Sequence, residues 1–560
     1  MDDWFYWKHR YQYATTSNPA ATMSPWAIIC PQHPTADADV ILAIQYAAAN
    51  NIAIAVRTGG HAYSGTSSTD SNNIQIDLSD AYHDWDYNAA AGTLRVGVSH
   101  SLLDFNMKLW DQCRWEPKNC PPEPTKGLFM PTGQCYNVHV GGHVQTGGYG
   151  QLTRAFGLFS DQIDSFEIFL ADGKKKIVTP ADKDLFFAVL GGGPGNYGIM
   201  THVTIRPRKD SDHQYSRAYK KVIPYDPKRH HDVLVGLFDL VQKWGSAPGD
   251  YDFSFTVGSG EDSFIGNQIG IASWDDFMVR LTRGMMGSSP FSFLSVYFQY
   301  SNLDNKRDSY DPQWCNKIKA IFAAADAANK GMGWWDRFKN WFERKLIGYF
   351  ATQKDDKDLT PISESVTTLW TYKGQREFNY PFLKNAQMTD EVADSKNWPE
   401  WVASRIDGLI EHSKGLMVVT QCENFGGPDS AMRKNAEKKQ TAYAWRNTTV
   451  GYCLDAFHNP NVTNARWAAE QWQKVNNDEG VGPCGKLSKL DHRWFWASHG
   501  DTDMSKVWPF YYSPEDYDRC CKIKKEYDPK GVFSPNAFVV GYPETAPKHA
   551  ASLGAAPENR

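Results

Sequence analysis

The most reactive side chains of this sequence lie in two glycine-rich stretches. Arg57-Thr58-Gly59-Gly60-His61 ends on an imidazole, and Gly133-Gln134-Cys135-Tyr136-Asn137-Val138-His139-Val140-Gly141-Gly142-His143 carries a thiol. Glycine has no Cβ, so backbone at such places can approach a ligand closely. His61 and Cys135, 74 residues apart, can each bond covalently to an electrophilic ring. The successive amides of Thr58, Gly59 and Gly60 can form an anion nest for a pyrophosphate. Cys135, among polar neighbours, is a candidate thiolate nucleophile. Cys135 and His143 also have metal-ligand chemistry, but no second pair completes a site. Five glycines between positions 141 and 150 (Gly141, Gly142, Gly147, Gly148 and Gly150, with Tyr149 among them) cost chain entropy. Their density predicts a close ligand approach.

The elements that must position these groups are readable around them. Residues 28–31 form a short strand, and a helix opens at Thr35 and runs to about Asn50, with Val40, Ile41, Ile44 and Ala47 on one face. Ile52–Val56 is a buried-type strand entering the first motif, and residues 74–78 alternate as a strand. Residues 165–170 and 176–178 flank Ala171-Asp172-Gly173, a hairpin signal. A third stretch, Gly191 to Gly198, contains a literal G-x-G-x-x-G, but the alternating Ile199–Ile205 follows it. A dinucleotide fingerprint must open a helix, so that reading fails. Beyond Lys209, strands are expected at 253–257, 269–273 and 291–297, and helices at 314–328, 334–350, 398–413 and 514–527. The basic amphipathic 334–350 segment reads as a solvated face on a packed helix.

At 560 residues the chain exceeds one ordinary core. Apolar residues at 41% and a net charge of −5 describe a globular protein without a nucleic-acid or anionic-membrane partner. No apolar run is long enough to span a bilayer, and the N-terminus lacks a signal-peptide pattern. Cys113 and Cys120 bracket a loop and are expected to pair. Two sequons, at Asn447 and Asn461, favour a secreted protein whose leader has been removed. Most of the 21 tryptophans belong to packing, and a minority could stack on sugar faces.

Taken in order, Arg57 to His61, Cys135 with Gly141-Gly142-His143, Gly147-Gly148-Tyr149-Gly150, Gly191 to Gly198 and Tyr527-Asp528-Pro529 with Phe533 span nearly the whole chain. In this the sequence resembles the berberine bridge enzyme-like branch of the vanillyl-alcohol oxidase flavoproteins, which includes oligosaccharide oxidases, cannabinoid synthases and antibiotic-tailoring oxidases. The resemblance implies an α+β fold. A PCMH-type FAD-binding domain would cover 20–208 and an α/β substrate domain with an antiparallel sheet 209–492. A C-terminal segment, 493–545, would return to the FAD domain, ahead of a disordered tail at 546–560. It implies FAD held by an 8α-histidyl bond to His61 and a 6-S-cysteinyl bond to Cys135. Val138 matches a position where relatives that react with dioxygen carry valine.

The substrate end departs from the family pattern. His499 stands where relatives place a tyrosine base, and a histidine there can still accept a proton, unless the base lies elsewhere. Tyr452, six residues past Arg446 of Ala444-Trp445-Arg446, is a second candidate, either as a base with a lowered pKa or as a hydroxyl that binds substrate. Gln421, Glu423 and Arg446 are expected to contact substrate. The expected activity is oxidation of a mono- or oligosaccharide at C1 to a lactone, with dioxygen reduced to hydrogen peroxide, in a monomer. An alcohol oxidase or oxidative cyclase of secondary metabolism is the alternative.

Overall fold

The structure, a computed structural model, describes residues 3–17, 20–260, 291–328, 352–369, 381–412, 415–438, 440–494 and 503–541. His499, the expected strand at 269–273, the basic segment 334–350 and the tail 546–560 lie outside the described residues.

Among the described residues, the first part of the chain builds three sheets. Strands β1 (Ala27–Ile29), β2 (Ile54–Arg57) and β3 (Ile74–Asp77) form a parallel sheet in the order β1-β3-β2. The helix Ala36–Asn50 covers it with Val40, Ala43, Ile44 and Ala47, the spacing expected of one apolar face. Next come β4 (Trp85–Asn88), β5 (Thr93–Gly97), β6 (Leu128–Phe129), β7 (Ile163–Phe169), β8 (Lys175–Val178), β9 (Ile199–Ile205) and β10 (Arg208–Lys209). Five of these make the sheet β4-β5-β9-β7-β8, while β6 pairs with β10. The β7–β8 hairpin turns through Gly173 at φ +78°, as the Asp-Gly signal predicts. The third glycine stretch leads directly into β9, not into a helix, so the structure agrees that it is no dinucleotide fingerprint. Cys113 and Cys120 are disulfide-bonded.

The middle of the chain supplies an eight-stranded antiparallel sheet: β11 (Arg217–Pro224), β12 (Tyr251–Gly260), β13 (Phe291–Tyr300), β14 (Phe382–Leu383), β15 (Ala386–Thr389), β16 (Leu416–Asn424), β17 (Val450–His458) and β18 (His492–Arg493). Seven follow the order β11-β13-β12-β16-β17-β15-β18, and β14 joins β17. The helices Pro227–Lys243, Gln313–Ala328, Trp398–His412 and Ala465–Gly480 share one apolar core with one face of this sheet. The first of them starts on Asp226, whose carboxylate accepts from the Lys228 amide, with Pro227 at the first helical position.

The other face of the sheet packs against Phe129, Leu152, Phe156 and Leu158 of the preceding part of the chain. Arg154, wholly buried, crosses that junction. Its Nε donates to Gly426 O at 2.8 Å, Nη1 to Tyr251 O at 2.9 Å and to Pro248 O, and Nη2 to Ala247 O. Arg446 crosses it in the opposite direction as a bidentate pair with Asp161, both N···O distances 2.8 Å. The C-terminal helix Pro514–Tyr527 ends in a fully buried Lys524–Asp528 pair at 2.7 Å, and Lys524 also donates to Asn196 O and Phe533 O. With Ile54 N donating to Val532 O at 2.7 Å, this stitches the chain end onto the first domain.

Candidate active site

β2 ends at Arg57, and the chain turns through Gly60 at φ +63° to present His61. An L side chain at position 59 would meet Asn137 O at 2.7 Å and His139 Cδ2 at 2.8 Å, so the first glycine motif lies directly against the second. The N-terminal segment closes over this turn: Tyr13 N donates to Gly60 O at 2.9 Å, and the Tyr13 and His61 rings lie 3.8 Å apart. Tyr63 meets His61 from the side, edge-on at 5.8 Å. Burial holds the His61 imidazole neutral, with its pKa lowered to about 3, helped by the ammonium of Lys384.

The Cys135 loop is fixed by hydrogen bonds. His143 Nε2 accepts from Gly133 N at 3.0 Å, so His143 pins the loop as an acceptor. Val138, packed against the first domain's core, accepts from Leu102 N at 2.7 Å. Burial pushes the Cys135 thiol up to about 11. Lys384 is the one group opposing that shift. Its ammonium is ion-paired with buried Asp455 and lies 4.1 Å above the Tyr63 ring.

Most of the dense glycines pack against the protein's own chain. A Cβ at Gly147 would strike Tyr443 at 2.7 Å, at Gly148 Phe159 at 2.7 Å, at Gly150 Thr132 O at 2.1 Å, and at Gly141 Val98 at 2.9 Å. Only Gly142 has open room, with Thr58 Oγ1 at 4.0 Å. The expectation of ligand approach along the whole run therefore narrows to Gly142.

Strand alternation decides which sheet residues face this site. On β16, Cys422 belongs with the helix-side core and Phe425 with the opposite cluster, so Gln421 and Glu423 share the Phe425 face. On β17, Cys453 and Asp455 point the same way, and Tyr452 points away. Tyr452 stands edge-on to Trp398 at 6.1 Å, and its hydroxyl meets Gln387 Oε1 at 3.1 Å. Burial raises its pKa, the reverse of what a tyrosine base needs. Tyr452 is therefore a core residue. Arg446 is likewise engaged, with Asp161, Thr441 and Tyr443 O taking its donors. Arg57 lies inside a buried cluster with Asp77, Tyr11 O and Thr58 O. His9 and Cys30 complete that cluster around Asp77, their ligand atoms all within 4.8 Å, with the guanidinium of Arg57 on the same carboxylate oxygen as His9.

Glu423 is 3% exposed and bonded through Oε1 to Gln421, while its Oε2 has no partner. Burial raises its carboxyl to about 7. Across the ladder from Glu423 is Gly451, where a Cβ would strike Trp494 at 2.3 Å. Trp494 stacks on Tyr149 at 3.8 Å, and Phe425 stands edge-on to both. The glycine at 451 was the sequence signal for this aromatic trio, and periodicity alone does not expose it.

These residues fit a flavin nucleotide. His61 Nε2 and His139 Nδ1 are buried without partners, Gly142 has a free side, and two nucleophile-bearing loops meet at Gly59.

A family model described as an FAD binding domain matches residues 28–178. An uncharacterized FAD-linked oxidoreductase of Bacillus subtilis is 31% identical over 506 residues, covering 88% of this chain and 87% of that protein. Berberine bridge enzyme-like 19 of Arabidopsis thaliana is 29% identical over 184 residues, 33% of this chain. Such plant relatives are matched over about 30% of their own length. Among solved structures, xylooligosaccharide oxidase from Myceliophthora thermophila superposes with a TM-score of 0.64 at 16% identity, covering 96% of this chain and 95% of that one. No described helix is long and apolar enough to cross a membrane.

Proposed function

The chain belongs to the berberine bridge enzyme-like FAD-linked oxidoreductases, and from that premise we propose that it is a secreted carbohydrate oxidase with a doubly tethered flavin. His61 and Cys135 would hold FAD covalently, with Thr58–Gly60 and Gly142 against it. Held there, FAD would supply a hydride acceptor that dioxygen could reoxidise with release of hydrogen peroxide. The chain's own part is to bind, orient and deprotonate.

The observation that carries the reading is Glu423. A buried carboxyl near pH 7, with one free oxygen on the face shared with Cys453 and Asp455, suits removal of a hydroxyl proton. Gln421 orients it through Oε1. Trp494, Tyr149 and Phe425 pack together on the Gly451 side of it. The base is thus assigned to Glu423 in place of Tyr452, with His499 as the second candidate. Val138, beside Cys135, supports dioxygen as acceptor. Both sequon asparagines are exposed, and together with the Cys113–Cys120 bridge they favour secretion.

Peroxidase-coupled detection of hydrogen peroxide over a panel of aldoses and oligosaccharides tests the substrate. Peroxide from sugars, with a lactone product, is the expected result. Silence on every sugar, with turnover of an aromatic alcohol, would favour the alternative in secondary metabolism, for which the Tyr149–Trp494–Phe425 walls are the supporting feature. Colourless acid-precipitated protein would sink the tethered-flavin reading altogether.

A further inference from the structure

Buried polar atoms in native proteins are nearly always hydrogen-bonded, because an unmade bond costs the whole desolvation of the group. His139 breaks that rule where two loops meet. Its Nδ1 is buried without a partner, and its ring packs against the Gly59 turn, where a Cβ would lie 2.8 Å from His139 Cδ2. Neither the covalent tethers nor proton removal uses this side chain. It stands four residues past Cys135 and just ahead of the short helix Val140–Gln145.

The groups acting on His139 point to the sign of what is missing. Burial, then Arg57, His83 and His100, all disfavour its charged form, and only Asp77 opposes them. Arg57, two residues ahead of Gly59, has its own orphan: Nη2 is buried with no partner, although Nη1 and Nε are bonded. Two unused cation-forming donors thus border one glycine turn whose amides can face an anion.

Resting on the flavin reading above, we propose that His139 donates from Nδ1 to the pyrophosphate of FAD and makes this chain select the dinucleotide over flavins that lack it. The imidazole enters neutral with the proton on Nδ1, and the arriving negative charge favours that donor and opposes the depression caused by Arg57. His139 acts on binding and leaves proton removal from substrate to other groups.

The test uses the full chain carrying His61→Ala and Cys135→Ala, so that binding is reversible, titrated with FAD and with riboflavin by flavin fluorescence. Adding His139→Leu is expected to weaken FAD about tenfold or more while leaving riboflavin within twofold, since a charge-assisted bond to phosphate is lost. Adding His139→Asn, which keeps a donor, should recover most of the loss, and inorganic pyrophosphate should compete with FAD only in the parent. An FAD affinity unchanged in His139→Leu, or an equal loss for riboflavin, would overturn the proposal. Should the tether-free parent bind too weakly to titrate, His139→Leu in the tethered chain must reduce acid-stable flavin at limiting FAD and regain it at excess. Unchanged content at limiting FAD would overturn the proposal in that arm. Yellow acid-precipitated wild-type protein tests the flavin reading independently.

Discussion

Replacing Glu423 with glutamine removes a charge that the folded protein resists and keeps nearly the same shape. The folded carboxyl sits at about 7 against an ordinary 4.5, and at about 1.4 kcal/mol per tenfold change this amounts to about 3 kcal/mol. Below the unfolded value, near pH 4.5, Glu423 is protonated in both states and costs nothing. As pH rises through 7 the unfolded chain has already ionised, while the folded one must ionise a group among Cys422, Cys453 and a fully buried Asp252, so stability is lost. Glu423→Gln should therefore gain about 3 kcal/mol on wild type at pH 8 and much less at pH 5. Urea unfolding at both pH values, followed by tryptophan fluorescence, measures the difference directly. In anaerobic stopped flow, the wild-type reduction rate should rise with an apparent pKa near 7. The variant should be slower by about two to four orders of magnitude and lose that titration. A stability difference that is the same at pH 5 and pH 8, or an unaltered rate profile in the variant, would refute both the burial argument and the assignment of the base.

Tyr452→Phe should keep its reduction rate within about twofold and cost about 1 kcal/mol, the usual worth of its bond to Gln387; a large rate loss would return Tyr452 to the chemistry. Arg446→Ala leaves buried Asp161 facing the junction without its cation and should destabilise by about 3 kcal/mol in calorimetric or denaturant unfolding, with KM for substrate little changed. His61→Ala and Cys135→Ala alone should each retain acid-stable flavin through the surviving bond. The double variant should release all of it on acid precipitation, as read by absorbance of the supernatant.

The flavin end of the site was legible because it depends on local chain chemistry: a strand running into Thr58-Gly59-Gly60, and a loop carrying Cys135. The substrate end was not. Counting six residues past Arg446 reaches Tyr452, but side chains alternate along a strand, and one position further lies Cys453 on the opposite face. Arg446 read as a substrate contact because its partner Asp161 is 285 residues away, beyond any local pattern. Glycine density pointed to the right region and overstated the ligand's share, since a glycine pressed against Tyr443 or Phe159 has the same letter as one facing a cofactor. The helix Pro227–Lys243 had a readable start in Asp226-Pro227, and the helix Leu102–Trp115 had one in Ser101, whose side chain accepts from the Asp104 amide. The sequence reading passed over both.

Arg154 gives every nitrogen of its guanidinium to carbonyl oxygens across the junction. Rotating the two lobes apart would strand a desolvated cation and four acceptors at once, so this junction resists the clamshell motion by which many enzymes admit and then enclose their ligands.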